Sequence, residues 1–110
     1  MSEPATTIRL TTAQAIVRYL MNQFIEIDGV ETRICGGGFG IFGHGNVPCL
    51  GEALYPVQDD LPLYRGQNEQ SMGLAAAGYA KYHLRRRFMF CTASAGPGTA
   101  NLLTAAALAH

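Results

Sequence analysis

The sequence predicts an α/β domain in which a parallel sheet carries helices on both of its faces. Three apolar segments indicate strands, and each is followed by a loop and a helix-forming segment: FGIF at 39–42, LPLYR at 61–65 and FMFCT at 88–92. Strands that alternate with helices favour parallel pairing with right-handed crossovers. The chain has 110 residues, 48% of them hydrophobic, so we assign 1–110 to one domain.

Helix and turn signals lie around these segments. Thr11 and Gln14 form a capping-box pattern, after which apolar residues recur at helical spacing. A second helix is predicted from Glu69 to about residue 84, with a face of small residues that suits close packing on a sheet. A short helix is expected at 47–54. Asp28 and Gly29 predict a two-residue hairpin turn, because both turn positions require positive φ.

The last segment has an unusual composition. From Thr99 onward it consists of good helix formers, but it has no glycine cap, no basic last turn and no polar face over 105–109. An apolar helix is stable only when it packs against more protein. We therefore expect the domain to be incomplete at its C-terminus, as the front part of a longer chain or as a subunit of an oligomer.

Composition and charge exclude several classes of partner. Eight Lys and Arg balance eight Asp and Glu, so no net charge attracts nucleic acid or an anionic membrane. The basic run at Lys81 and 85–87 is interpreted as cations in the last turn of a helix, where they complement its dipole. No apolar run has the length of a membrane span. We expect no nucleic-acid partner and no membrane association.

The cysteines indicate the compartment. Cys35, Cys49 and Cys91 are odd in number and lack paired spacing, which argues against a disulfide framework and against a structural zinc site. The N-terminus lacks the apolar core of a signal peptide. These observations predict a cytoplasmic protein.

The glycine-rich stretch GGGFGIFGHGN contains G-x-G-x-x-G at Gly38, Gly40 and Gly43. In a dinucleotide-binding fingerprint the glycines follow a strand and open a helix. Here apolar residues lie inside the motif, so we do not interpret the stretch as a dinucleotide-binding site. Gly43 and Gly45 instead follow a strand, where they predict either a close approach of a ligand or a tight turn without one.

A parallel sheet would bring three loops to one edge: GHGN at 43–46, GQNEQ at 66–70 and ASAGPG at 93–98. Ligands bind at the carboxyl ends of parallel strands. The second loop places Glu69 at the start of a helix. A carboxyl group in that position either shares a proton with a ring nitrogen of a ligand or caps its own helix.

These motifs resemble the pyrimidine-binding domain of thiamine-diphosphate enzymes such as acetolactate synthase. The resemblance extends from about Leu10 to the end and rests on FGIFGHGN, YRGQNEQSMGLAAAGYAK and CTASAGPGTANLL. Within that family, IRLTTAQAIVRYLMNQ, the segment around Asp28 and the phrase IFGHGN most resemble the members that hydrolyse trihydroxycyclohexane-dione in myo-inositol breakdown.

The resemblance implies roles for particular residues. Glu69 would be the catalytic glutamate that hydrogen-bonds the aminopyrimidine ring. Gly96, Pro97 and Gly98 would lie beside that ring, and Asn101 would have a structural role. Asn68 replaces the histidine that commonly precedes the glutamate.

The resemblance also implies a substrate and partners. His44 and Asn46 depart from the family pattern F-G-x-P-G and would face a cyclic polyol-dione. The family binds the diphosphate of its cofactor through magnesium, using a Gly-Asp-Gly motif that these residues lack, and its active site forms between two chains. We therefore expect a homodimer or tetramer, and an isolated 110-residue chain that is inactive. Another lyase or synthase of the family and a non-catalytic α/β module remain as alternatives.

Overall fold

A three-stranded parallel sheet forms the centre of the structure, a computed structural model that describes residues 6–43 and 45–110. Its strands are β3 (Cys35–Gly40), β4 (Leu63–Arg65) and β5 (Phe88–Thr92), in the order β4-β3-β5. Both pairings of β3 are parallel. An antiparallel hairpin of β1 (Phe24–Ile27) and β2 (Val30–Arg33) precedes the sheet. The predicted parallel α/β fold is confirmed.

Helices cover both faces of this sheet. On one face, α1 (Thr12–Met21) and α2 (Glu52–Leu54) enclose a core of four buried side chains, Val17, Cys35, Leu54 and Leu61. A π-helical turn (Val47–Gly51) precedes α2 and a 3-10 turn (Tyr55–Val57) follows it. On the other face, α3 (Glu69–Tyr82) packs against β5 and against α5 (Leu103–Ala109). A short helix, α4 (Pro97–Ala100), connects β5 to α5.

Local sequence signals explain where α1 begins and how the hairpin turns. The Thr11 hydroxyl accepts a hydrogen bond from the Gln14 backbone N–H (3.2 Å), and the Gln14 side chain accepts one from the Thr11 backbone N–H (3.0 Å). The capping box is therefore complete. In the hairpin, Asp28 and Gly29 have φ of 53° and 79°, as the predicted turn requires.

The first strand of the parallel sheet differs from its prediction. The sequence favoured 39–42, whereas β3 runs over Cys35–Gly40 and contains four glycines. A Cβ on Gly38 would overlap the ring of Phe90, and one on Gly36 would overlap the Tyr79 side chain. The glycines therefore admit neighbouring side chains onto the strand. Gly38 and Gly40 lie inside β3, not in a loop that opens a helix, so the dinucleotide geometry is absent at these residues.

The end of α3 also differs slightly from the expectation of residue 84. The helix ends at Tyr82, and Leu84 and Arg85 adopt positive φ of 54° and 62°, which a continuing helix does not allow. Only Lys81 lies in the last turn. The interpretation that all four cations complement the dipole of α3 is therefore wrong for residues 85–87, which follow the helix. None of the helices among the described residues combines the length and apolarity needed to cross a bilayer.

We expect Gly38→Ala to lower the free energy of unfolding by about 2 kcal/mol, because the new methyl group would overlap the Phe90 ring inside the sheet. Gly51→Ala is the matched control, since a Cβ there has its nearest neighbours at 3.6 Å, an ordinary contact. Denaturant unfolding of both variants measures the difference. Equal stability of the two would contradict the packing role of Gly38.

Candidate functional site at the strand ends

The carboxyl ends of the three parallel strands meet at one edge of the sheet. The Gly66 backbone N–H donates to the Gly40 carbonyl (3.1 Å), which joins the loops after β4 and β3. The Ile41 backbone N–H donates to the Thr92 carbonyl (3.1 Å), which joins the loops after β3 and β5. The predicted convergence of the three loops is confirmed.

Glu69 begins α3 directly after the loop that follows β4. Asn68 is the N-cap, with extended φ and ψ of −148° and 127°, and its side-chain oxygen accepts a hydrogen bond from the Ser71 backbone N–H (3.1 Å). The alternative that Glu69 merely caps its helix is therefore wrong, because Asn68 performs that role. The Glu69 carboxylate is left to contact other elements.

The turn after β5 forms one wall beside Glu69. Gly96 has a φ of 72°, a left-handed conformation that favours glycine, and Pro97 is the first residue of α4. The Ser94 carbonyl accepts from the Thr99 backbone N–H (3.1 Å) and from its hydroxyl (2.9 Å). These bonds hold the turn closed.

Gly98 lies directly against the carboxylate. It is buried, and a Cβ at this position would stand 3.3 Å from Glu69 Oε1 and 2.8 Å from Ser94 Oγ. Of the residues expected beside the ring, the structure thus places Gly98 near the Glu69 carboxylate. Gly96 and Pro97 lie in the same turn and are exposed.

Asn101 binds the other oxygen of the same carboxylate. Its Nδ2 donates to Glu69 Oε2 over 3.0 Å, in a partly buried contact between residues 32 apart in sequence. The sequence predicted one helix from Thr99, but α4 ends at Ala100 and α5 begins at Leu103. Asn101 lies in this break. Sequence reasoning gave Asn101 a structural role and missed Glu69 as its partner. The only available signal was that Asn101 follows the turn formed by residues 96–98, the GPG turn.

The hydrogen bond from Asn101 is the main cause that lowers the pKa of Glu69 below the ordinary glutamate value. The backbone N–H of Glu69 lowers the pKa further, and desolvation opposes both by disfavouring the charged form. The geometry thus favours an ionised carboxylate that accepts hydrogen bonds.

The first loop lies beside the third. A Cβ on Gly43 would stand 2.8 Å from Ser94 Cβ, so the absence of a side chain at Gly43 makes room for Ser94. Asn46 precedes the π-helical turn, where its carbonyl accepts from the Gly51 N–H (2.9 Å) and its side chain forms no capping bond. His44, the other expected substrate residue, lies outside the described residues.

An open cleft of about 440 Å³ adjoins these loops, lined by Ile41, Arg65, Gly66 and Gln67. It lies at the ends of β3 and β4, two residues before Glu69 along the chain. Within residues 6–43 and 45–110, no three His, Cys, Asp or Glu side chains are grouped so that they could hold a metal ion.

Similarity to known proteins agrees with this geometry. Residues 10–110 match the family described as thiamine pyrophosphate enzyme, N-terminal TPP binding domain. The chain belongs to this family. Membership confirms the expected resemblance and the expected fold class, because a parallel sheet with helices on both faces is what the structure shows.

Individual relatives narrow the comparison. Over 103 residues the chain is 50% identical to 3D-(3,5/4)-trihydroxycyclohexane-1,2-dione hydrolase 2 of Bacillus cereus. It is 52% identical over 103 residues to the 3D-(3,5/4)-trihydroxycyclohexane-1,2-dione hydrolase of Geobacillus thermodenitrificans. Each alignment covers 94% of this chain and 16% of the relative. The chain therefore spans about a sixth of the length of these relatives.

The lowered pKa of Glu69 predicts a pH-dependent contribution to stability. A carboxyl group with a depressed folded-state pKa stabilises the fold above its unfolded pKa, and the contribution is lost as the pH falls through the folded-state pKa. Asn101→Ala removes the main cause of the depression. We expect its destabilisation to be larger at about pH 7 than at about pH 3, where the carboxyl group is largely protonated in the unfolded state and the contribution is being lost.

Denaturant unfolding at the two pH values measures this difference. Asn22→Ala is the matched control, because Asn22 Nδ2 donates to the neutral Arg18 carbonyl (2.7 Å). Its destabilisation should be the same at both pH values. An equal effect of Asn101→Ala at both pH values would contradict the charged nature of the Glu69 contact.

Proposed function

We propose that this chain is the pyrimidine-binding part of a thiamine-diphosphate-dependent hydrolase. The proposed reaction cleaves a carbon–carbon bond of trihydroxycyclohexane-dione and opens the ring to a deoxyglucuronic acid, in myo-inositol catabolism. One observation carries the proposal: a glutamate at the carboxyl edge of the parallel sheet, hydrogen-bonded by Asn101 and close to Gly98. The names of relatives about half identical to this chain support the substrate class.

The residues present fit an aminopyrimidine ring. Such a ring offers a flat face and a ring nitrogen, and it requires a hydrogen-bonding carboxyl group together with a wall free of bulky side chains. Glu69 supplies the carboxyl group. Gly96 and Gly98 supply a wall without Cβ atoms, and an added Cβ at Gly98 would stand 3.3 Å from Glu69 Oε1. Pro97 fixes the backbone between the two glycines.

When bound, the cofactor supplies a nucleophilic carbon that attacks a substrate carbonyl. In this proposal the Glu69 carboxylate hydrogen-bonds the pyrimidine nitrogen and stabilises a proton there, which favours the imino tautomer of the ring. Gly96, Pro97 and Gly98 bind the ring face. His44 and Asn46 contact the hydroxyl groups of the substrate.

The diphosphate and Mg²⁺ are proposed to bind outside these residues, because residues 1–110 contain no Gly-Asp-Gly motif. We propose a cytoplasmic homodimer or tetramer in which this domain faces the diphosphate-binding domain of a neighbouring subunit. The 110 residues alone are then expected to be inactive.

The proposal is tested with the intact protein that carries this chain, supplied with thiamine diphosphate, Mg²⁺ and trihydroxycyclohexane-dione. Ring-opened acid that appears only when the cofactor is present is the expected result. Formation of acetolactate from pyruvate, with no turnover of the dione, would instead favour a synthase of the same family.

We expect Glu69→Gln to slow hydrogen exchange at the thiazolium carbon of the bound cofactor by about 100-fold or more. The reason is that a neutral amide cannot stabilise a proton on the pyrimidine nitrogen as the carboxylate does. Deuterium exchange of the bound cofactor, quenched and measured by NMR, provides the rate. Glu31→Gln, an exposed glutamate on β2, is the control and should exchange at the unchanged rate. An unchanged rate for Glu69→Gln would reject the catalytic assignment.

A further inference from the structure

We propose that Asn101 is a positioning residue that fixes the Glu69 carboxylate for the aminopyrimidine ring. We propose also that close packing of α3 on α5 at Gly73 keeps the Asn101 amide within hydrogen-bonding distance of that carboxylate. This inference rests on the proposed function. It adds to that function a second residue and a packing contact outside the glutamate and the GPG turn.

The hydrogen bond itself carries the first half of the inference. Asn101 Nδ2 donates to Glu69 Oε2 over 3.0 Å, while Oε1 lies toward the position that a Cβ on Gly98 would occupy. One oxygen is thus bound by a side chain, while the other lies beside a glycine and is left for a ligand. A carboxylate restrained through one oxygen has fewer orientations to lose when it binds a ring nitrogen.

The position of Asn101 depends on where the chain breaks between α4 and α5. The Asn101 backbone N–H donates to the Pro97 carbonyl (3.1 Å), so the GPG turn and Asn101 belong to one helical turn. α5 then begins at Leu103. The donor is therefore anchored at one side by the turn and at the other by α5.

Packing of α5 on α3 carries the second half of the inference. Glu69 and Gly73 are four residues apart and lie on the same face of α3. A Cβ on Gly73 would stand 2.5 Å from Ala105 Cβ and 3.1 Å from Leu102 Cδ2. The absence of that Cβ lets α5 approach α3 closely. Asn101 lies four residues before Ala105, so the two segments meet at Gly73 and again at Glu69.

The experiment measures whether Asn101 is coupled to the ring nitrogen. Calorimetry gives the affinity of the intact protein, with Mg²⁺, for thiamine diphosphate and for an analogue whose pyrimidine nitrogen facing Glu69 is replaced by C–H. We expect Asn101→Ala to weaken binding of thiamine diphosphate about tenfold and binding of the analogue less than about twofold. Asn101→Asp, which places a second acid beside Glu69, should lose at least as much. Equal losses for the two ligands, or no loss, would overturn the positioning role.

Two alanine variants on one helix test the packing contact. Gly73→Ala should reduce the preference for thiamine diphosphate over the analogue, as Asn101→Ala does, because the new methyl group pushes α5 away. Gly78→Ala should leave the preference unchanged, since nothing lies within 4 Å of a Cβ there. Gly73→Ala combined with Ala105→Gly removes the overlap and should restore the preference. The packing role of Gly73 would be overturned if the preference survived in Gly73→Ala. It would also be overturned if Ala105→Gly did not restore the preference.

Glu69→Gln separates the two proposals. A variant that keeps the full preference for thiamine diphosphate over the analogue would show that Glu69 does not bind the ring nitrogen, and the proposed function of Glu69 fails. If Glu69→Gln loses the preference and Asn101→Ala keeps it, only the role of Asn101 fails.

Discussion

Parallel pairing of β3 with both β4 and β5 is the constraint on which the rest of the structure depends. Because all three strands run in one direction, their loops meet at one edge, and residues far apart in sequence become neighbours. The glycines of β3 make this pairing dense, since the Phe90 ring occupies the place where a side chain on Gly38 would lie. A glycine-rich segment that looks like a phosphate-binding loop therefore serves here as a central strand.

Helix capping and tertiary packing together position the residues of the site. Local capping fixes the start of α3, because the Asn68 side chain accepts a hydrogen bond from the Ser71 backbone N–H in the first turn. The Glu69 carboxylate is therefore not needed as the N-cap. Tertiary packing then decides what the carboxylate meets: Gly98 from the turn after β5 and Asn101 from the break before α5. The lowered pKa of Glu69 follows from that tertiary contact and not from its helix position alone.

Membership of the thiamine-diphosphate enzyme family and the geometry of the strand ends support one another, although they rest on different observations. Family similarity depends on residue identities over 10–110. The geometry depends on hydrogen bonds and close contacts that no sequence pattern contains. The family pattern predicts Glu69 as the catalytic residue, and the geometry supports the proposal that Asn101 and Gly73 determine how its carboxylate is held.

The sequence by itself determined the parallel α/β class, the capping box of α1, the hairpin turn at Asp28 and the limits of β5, because each depends on contacts between near neighbours or on short-range periodicity. It also predicted a catalytic role for Glu69 through a family pattern. Only the tertiary structure decided that β3 begins at Cys35 and that the C-terminal helix breaks at Asn101. The physical reason is the same in both cases. Glycine and alanine have no side chain large enough to select a partner, so neighbours distant in sequence, Phe90 over Gly38 and Gly73 against Ala105, fix the backbone at those points.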